Sequence, residues 1–148
     1  VSQPSDPSGW ATGRLLSTAA RLAEHAWDAH LAHWGLNHAG FAVLHLLSGA
    51  PRSQRELAQA MQVEDQTMSR VLERLERHGQ VSRARSTHDR RRVEVSLTDA
   101  GRTAMVEAEA DDAAERMLGD VVPDRAELRA ALVALIEDLS ARRWSQPG

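Results

Sequence analysis

The chain has 148 residues, enough for one domain, or one domain with appended helices, around a core of modest size. It contains no cysteine, which excludes disulfides, thiol redox sensing and cysteine-based zinc sites. The net charge is only −3, yet residues 52–92 hold ten arginines against six acids while the other eight arginines face fifteen acids. A basic middle between acidic flanks is the footprint of a localised anion-binding surface. A solvated charge run on unrelated helices would give the same totals, so the placement of those arginines decides.

In chain order, residues 1–11 (VSQPSDPSGWA) are polar and proline-rich. They lack the charged and apolar regions of a secretion signal and read as a flexible tail. No apolar run approaches the ~18–20 residues that a membrane-spanning helix needs, so the expected location is the cytoplasm, with no membrane partner. From Thr12 to about Trp34, Leu15, Ala19, Leu22, Ala26, His30 and Leu31 recur at helical spacing, and Gly35 stops the helix. Asn37 can cap a second helix running to about Ser48, with Phe41, Leu44 and Leu47 inward. Gly49-Ala50-Pro51 breaks it.

Ser53 followed by Glu56 predicts a capping box at the head of a short helix that buries Leu57 and Met61. Gln62-Val63-Glu64 leads directly into another helix, from about Asp65 to His78, ended by Gly79. Its apolar face is Met68, Val71, Leu72 and Leu75. Its polar face is Gln66, Thr67, Ser69, Arg70, Glu73, Arg74 and Arg77. Two helices joined by so short a turn form a helix-turn-helix. Hydrogen-bonding side chains in the first turns of its second helix suit contact with base edges. Val81–Arg85 and Val93–Leu97 read as two strands around the arginine-rich loop 86–92, so the order is that of a winged helix. Thr98 caps a long alanine-rich and acidic helix to about Leu118. Gly119–Pro123 form a break, and a last helix runs from about Asp124 to Arg143. Leu128, Leu132, Leu135 and Leu139 repeat at steps of four, three and four, a coiled-coil-like seam. The first helix and the last two are too long to be covered by a small winged unit. A dimer built from both ends of the chain is therefore expected, with Leu15 and Leu22 contributing to it. The fold class is mainly α, with a small β-hairpin wing flanked by dimerisation helices.

The stretch MQVEDQTMSRVLERLERHGQVSRARSTHDRRRVEVSLTDAG, residues 61–101, resembles the MarR (multiple-antibiotic-resistance regulator) family of transcription factors. Ser69-Arg70-x-Leu72-x-x-Leu75, Gly79, Asp89-Arg90-Arg91 and Leu97-Thr98-x-x-Gly101 match its pattern in order and spacing. Weaker similarity covers Trp34–Leu47, and the flanking helices match by length and position only. The resemblance implies a tail over 1–11, an N-terminal dimerisation helix over 12–36, a winged helix-turn-helix over 37–100 and C-terminal dimerisation helices over 101–148. It further implies a homodimer on double-stranded DNA, with the second helix of the motif in the major groove and the wing at the minor groove. Many members are repressors released by small phenolic or lipophilic ligands, and a minority sense metals or oxidants.

Arginine suits a wing tip that enters a narrow groove of strong negative potential, and Arg91 is the expected insertion residue. Asp89 is placed to accept hydrogen bonds from its guanidinium, and Arg90 to contact phosphate or share the groove. Arg92 departs from the small or neutral residue common in the family. Gln66 and Thr67 are expected at bases, and Ser69 and Arg70 at phosphates or bases. Arg74 either joins them or pairs with Glu73 or Glu76. Ser53 and Gln54 sit at a helix N-terminus, which favours phosphate, although capping alone would explain Ser53. Glu64 and Asp65 are read as caps. About six arginine–phosphate contacts per dimer would give a log–log salt slope near −5. Two-fold symmetry predicts an inverted repeat.

Trp27, His30 and Trp34 fall toward the end of the first helix, where a small aromatic effector could stack. Their alternative role is as dimer core. The seven histidines, among them His30, His33, His38 and His45, invite a metal-responsive reading, but no compact ligand signature appears and no metal or cofactor is assigned. No nucleophile–base pairing or glycine-rich phosphate loop supports an enzyme. A winged helix used for protein–protein interaction is the remaining alternative, and the arginines of the wing speak against it.

Overall fold

A computed structural model describes residues 6–110 and 113–145. The first helix, α1 (Thr12–Leu31), runs into a turn of 3-10 helix over Ala32–Trp34. Gly35 ends it in the left-handed region at φ 69°. A β-carbon at that glycine would also sit 2.7 Å from the His78 ring, so both the backbone conformation and the neighbouring ring favour glycine there. Helix α2 (His38–Leu47) is capped by the Asn37 side chain, which accepts from the Gly40 N–H at 2.8 Å. A two-residue strand β1 (Arg52–Ser53) precedes α3 (Gln54–Met61), and α4 (Asp65–Arg77) completes the helix-turn-helix. The hairpin strands β2 (Val81–Arg85) and β3 (Val93–Leu97) fall on the residues the alternation indicates. They are followed by α5 (Asp99–Glu109), α6 (Ala113–Leu118) and α7 (Arg125–Ser145).

The sheet has the order β1-β3-β2 and is antiparallel throughout. Arg83 pairs with Val95 and Arg52 pairs with Val95 from the other side, so β3 is the central strand. The strand β1 was not expected. It is too short to show periodicity and exists because β3 has a free edge beside α3.

One core joins the elements from the end of α1 to α5. Leu31 and Leu36, Val43, Leu44 and Leu47, Leu57, Met68, Leu72 and Leu75, Val81 and Val95, and Ala104, Met105 and Ala108 are all buried in it. Fully burying one such leucine stabilises the fold by about 2 kcal/mol. Val43, not singled out in the sequence, is fully buried, whereas Phe41 and Met61 are only partly so. The end of α1 and the whole of α5 share the winged unit's core, and the compact units are residues 1–117 and 118–148.

A tight junction links three elements. Gly79, at φ 69°, releases the chain from α4 into β2. The Gln80 carbonyl accepts from Thr98 N at 3.1 Å, and the Thr98 hydroxyl donates to the Gly79 carbonyl at 2.6 Å. The same hydroxyl caps α5 by accepting from Gly101 N. A β-carbon on Gly101 would lie 2.1 Å from the Gln80 carbonyl oxygen, which is why the helix must carry glycine there. Gln80 is itself buried and donates to the Trp34 carbonyl at 2.8 Å.

Other expectations need correction. Ser53 caps α3, its hydroxyl accepting from Glu56 N, but the Glu56 carboxylate turns away to Arg92, so the reciprocal half of the capping box is missing. Glu64 stands at the N-cap of α4 without a side-chain cap bond. The helix expected from Thr98 to Leu118 is described as α5 and α6, with residues 111–112 between them outside the described range. Within the tail expected over 1–11, Pro7–Gly9 form a 3-10 turn capped by Asp6, and the Arg14 guanidinium lies 3.7 Å over the Trp10 ring.

The second unit is simpler. A 3-10 turn over Gly119–Val121 is held by Arg125, which donates to the Gly119 carbonyl at 2.9 Å. Asp124 caps α7 by accepting from Glu127 N. On α7, Leu128 and Leu135 are half-buried, while Leu132, Val133, Ile136 and Leu139 are exposed. On α1 of the first unit, Leu15, Leu16 and Leu22 are likewise exposed. No helix among the described residues is long and apolar enough to cross a membrane.

Candidate nucleic-acid interface

Helix α4 buries Met68, Leu72 and Leu75, which leaves the opposite face to the polar residues. Gln66, Thr67, Arg70 and Arg74 are exposed along that face, and Ser69 is half-buried. Arg70, Arg74 and Arg77 enter no ion pair among the described residues. The alternative in which Arg74 and Arg77 pair with Glu73 and Glu76 is not seen among the described residues, and Glu76 binds Arg83 of β2 at 3.4 Å. The donors on this helix are therefore uncommitted. The turn before it reverses at Gln62, which is left-handed at φ 56° without being glycine. The Val63 N–H bonds to the Ala58 carbonyl at 3.0 Å to close it.

The wing is a braced loop. Ser86 N donates to the Arg92 carbonyl at 2.8 Å and Arg92 N to the Asp89 carbonyl at 2.9 Å. The Ser86 hydroxyl accepts from the N–H groups of His88 and Asp89. From the strand below, Arg85 donates to the Arg90 carbonyl at 2.8 Å. Asp89 pairs with the Arg91 guanidinium, as expected, but at ion-pair rather than hydrogen-bond distance. It accepts from the Arg91 backbone N–H at 3.0 Å, and the side-chain Nε stays 3.7 Å away. Arg91 is 95% exposed, so its charge projects from a fixed backbone. Arg90 is exposed as well and forms no ion pair among the described residues. Arg92 is held by Glu56 of α3.

Between α3, the head of α4 and the wing lies an open groove lined by Gln54, Arg55, Gln59, Asp65, Arg91 and Arg92, among others. Gln54 is half-buried, and its amide oxygen faces Arg83 at 3.5 Å. Ser53 is 7% exposed and its hydroxyl caps α3 by accepting from Glu56 N, while the residue also borders the groove. Arg55 and Gln59 were passed over in the sequence. Only the fold shows that α3 presents them beside the wing.

The aromatic residues lie on the other side of the core. Trp27 stacks on His30 with centroids 5.1 Å apart, His30 meets Trp34 at the same distance, and Trp27 meets Phe41 edge-on. His30 donates to the Ala108 carbonyl at 3.1 Å, Trp34 donates to Glu107 at 2.9 Å, and His45 pairs with Glu109. These rings bind the end of α5 to α1 and α2. His38 and Asp28 form a second link, in which one carboxylate oxygen accepts from both the His38 N–H and its ring. Burial pushes the Asp28 carboxyl upward, but the two bonds from His38 and the nearby imidazoles of His38 and His25 outweigh it. Its pKa is lowered. Among the described residues, no group of three histidines, aspartates or glutamates could hold a metal ion.

Comparison with known proteins agrees with this geometry. The MarR family pattern matches residues 34–92. The transcriptional regulator TtmR of Methylorubrum extorquens is 30% identical over 129 residues, which is 86% of this chain and 66% of the relative's own length. Among solved structures, a crystal structure of MarR superposes with a TM-score of 0.81 at 25% identity, covering 97% of this chain and all of that one. The Mycobacterium tuberculosis regulator MosR, solved in complex with DNA, superposes at 0.74 with 27% identity over 90% of this chain and 99% of its own. Fold and site together define a DNA-binding transcriptional regulator of the winged helix-turn-helix class. The chain belongs to the MarR family.

Proposed function

We propose that the protein is a homodimeric repressor that binds an inverted-repeat operator in double-stranded DNA. In this reading α4 enters the major groove. Gln66 and Thr67 face base edges there, and Ser69, Arg70 and Arg74 reach bases or phosphates. The wing delivers Arg91 to the minor groove, with Arg90 beside it. The observation that carries the reading is the co-location of exposed cations. Arg70, Arg74 and Arg90 form no ion pair among the described residues, and Arg91, 95% exposed, has only a loose pair with Asp89 at 3.7 Å, while neighbouring Arg83 and Arg92 are tied to acids of the helix-turn-helix.

Dimerisation is supported by the exposed leucines of α1 and α7, Leu15, Leu22, Leu132 and Leu139, which water disfavours unless a second copy covers them. A small phenolic or aromatic effector would contact Trp27, His30 and Trp34, whose half-buried rings cluster at about 5 Å, Trp27 stacked on His30 and Trp34 tilted against it. The test is a gel-shift titration on the promoter adjoining the protein's own gene, at low ionic strength. Wild type should shift the promoter, and the double change Arg90→Ala, Arg91→Ala should weaken it at least tenfold. Unchanged affinity in that variant rejects the wing assignment.

A further inference from the structure

Among the described residues, Arg92 is the arginine of the wing loop 86–92 whose side chain pairs with an acid of the helix-turn-helix. Its guanidinium binds the carboxylate of Glu56, 36 residues earlier in the first turn of α3. Both side chains line the groove that faces DNA in the proposed function, and both are about half exposed. Glu56 is thus an acid placed where phosphates are expected. Alone it would repel them, and Arg92 alone would attract them. Together they present no net charge.

We propose that Glu56 is a positioning residue for the wing, which holds Arg92 away from the DNA backbone and limits the sequence-independent part of binding. This rests on the DNA-binding reading and deepens it. The pair sits at the base of the wing, where β3 leaves the loop and runs beside β1, so it ties the wing to the first helix of the motif. Arg90 and Arg91 at the tip are left as the working cations. A protein that gripped phosphate with every wing arginine would bind all duplexes more tightly and lose discrimination, because phosphate contacts carry no sequence information. Glu56 therefore favours specificity at the expense of raw affinity.

The test is a double-mutant cycle on the full chain, read as the salt dependence of binding to a duplex of random sequence. Circular dichroism checks that each variant is folded. Glu56→Gln is expected to free Arg92, tighten random-duplex binding several-fold and steepen the log–log salt slope by about 0.9 for each new phosphate contact. Arg92→Ala leaves Glu56 unpaired beside phosphate and is expected to weaken random-duplex binding modestly, and Glu56→Gln in the Arg92→Ala background is expected only to reverse that loss, without the steeper slope seen when Arg92 is present. The exchange Glu56→Arg with Arg92→Glu rebuilds the pair and should restore the wild-type slope. Binding by the Glu56→Gln, Arg92→Ala double variant that stays weaker and less salt-dependent than wild type would make Arg92 a phosphate contact and overturn the proposal. So would an equal effect of Glu56→Gln with and without Arg92, which would make Glu56 a simple repeller. If wild type ignores duplex DNA, both readings fail. If wild type binds, Arg90→Ala with Arg91→Ala weakens it and the cycle shows no coupling, only the positioning role fails.

Discussion

Arg91 has almost all of its side chain in solvent, yet its backbone is held by Asp89. An exposed arginine loses rotamer freedom when it enters a groove, and a fixed backbone reduces what remains to be ordered. Arg91→Ala should therefore cost about 1–3 kcal/mol of duplex binding, seen as a tenfold or greater rise in Kd by fluorescence anisotropy. Asp89→Ala should cost less, since it loosens the loop and leaves the charge. Asp28 governs a different property. Its carboxyl has a lowered pKa in the folded chain, so its contribution to stability is present above the unfolded value and is lost as pH falls through the folded one. Thermal melting from neutral pH down to about pH 3 should show wild type losing more stability than Asp28→Asn, which keeps the acceptor for His38 but has no proton to gain.

At the scale of elements, the junction of α4, β2 and α5 is the most demanding position. Gly101→Ala drives a methyl into the Gln80 carbonyl and should destabilise the fold by about 1–3 kcal/mol in urea denaturation. Thr98→Ala removes the α5 cap and the bond to Gly79 and should cost about 1 kcal/mol. The hairpin strands, the helix-turn-helix and the caps at Asn37, Ser53 and Thr98 were legible in the sequence because each is local. Alternation, helical spacing and a hydroxyl or amide before a helix act within a few residues. What the sequence hid is carried by side chains far apart in the chain. Glu56 looked like half of a capping box, and only the fold brings Arg92 to it. Glu76 looked like a partner for the arginines of its own helix, and β2 supplies Arg83 instead. Gln80 carried no signal at all, although it anchors the junction to Trp34. The edge strand β1 needed β3 as a template.

For the whole molecule, the exposed leucines are the open account. Leu132→Asp should shift the protein to monomer in sedimentation velocity and abolish tight operator binding, because each half-site alone binds weakly. Footprinting of the proposed dimer should protect two half-sites about one helical turn, roughly 34 Å, apart. The bonds among Gly79, Gln80, Thr98 and Gly101 bear on how such a site can change over evolutionary time. They weld the tail of α4 to the root of the hairpin, so the two prongs of one subunit keep a constant stride along the duplex. New targets can then be acquired by altering which letters are read, or by resetting the gap between subunits, but not by stretching the step that one subunit takes.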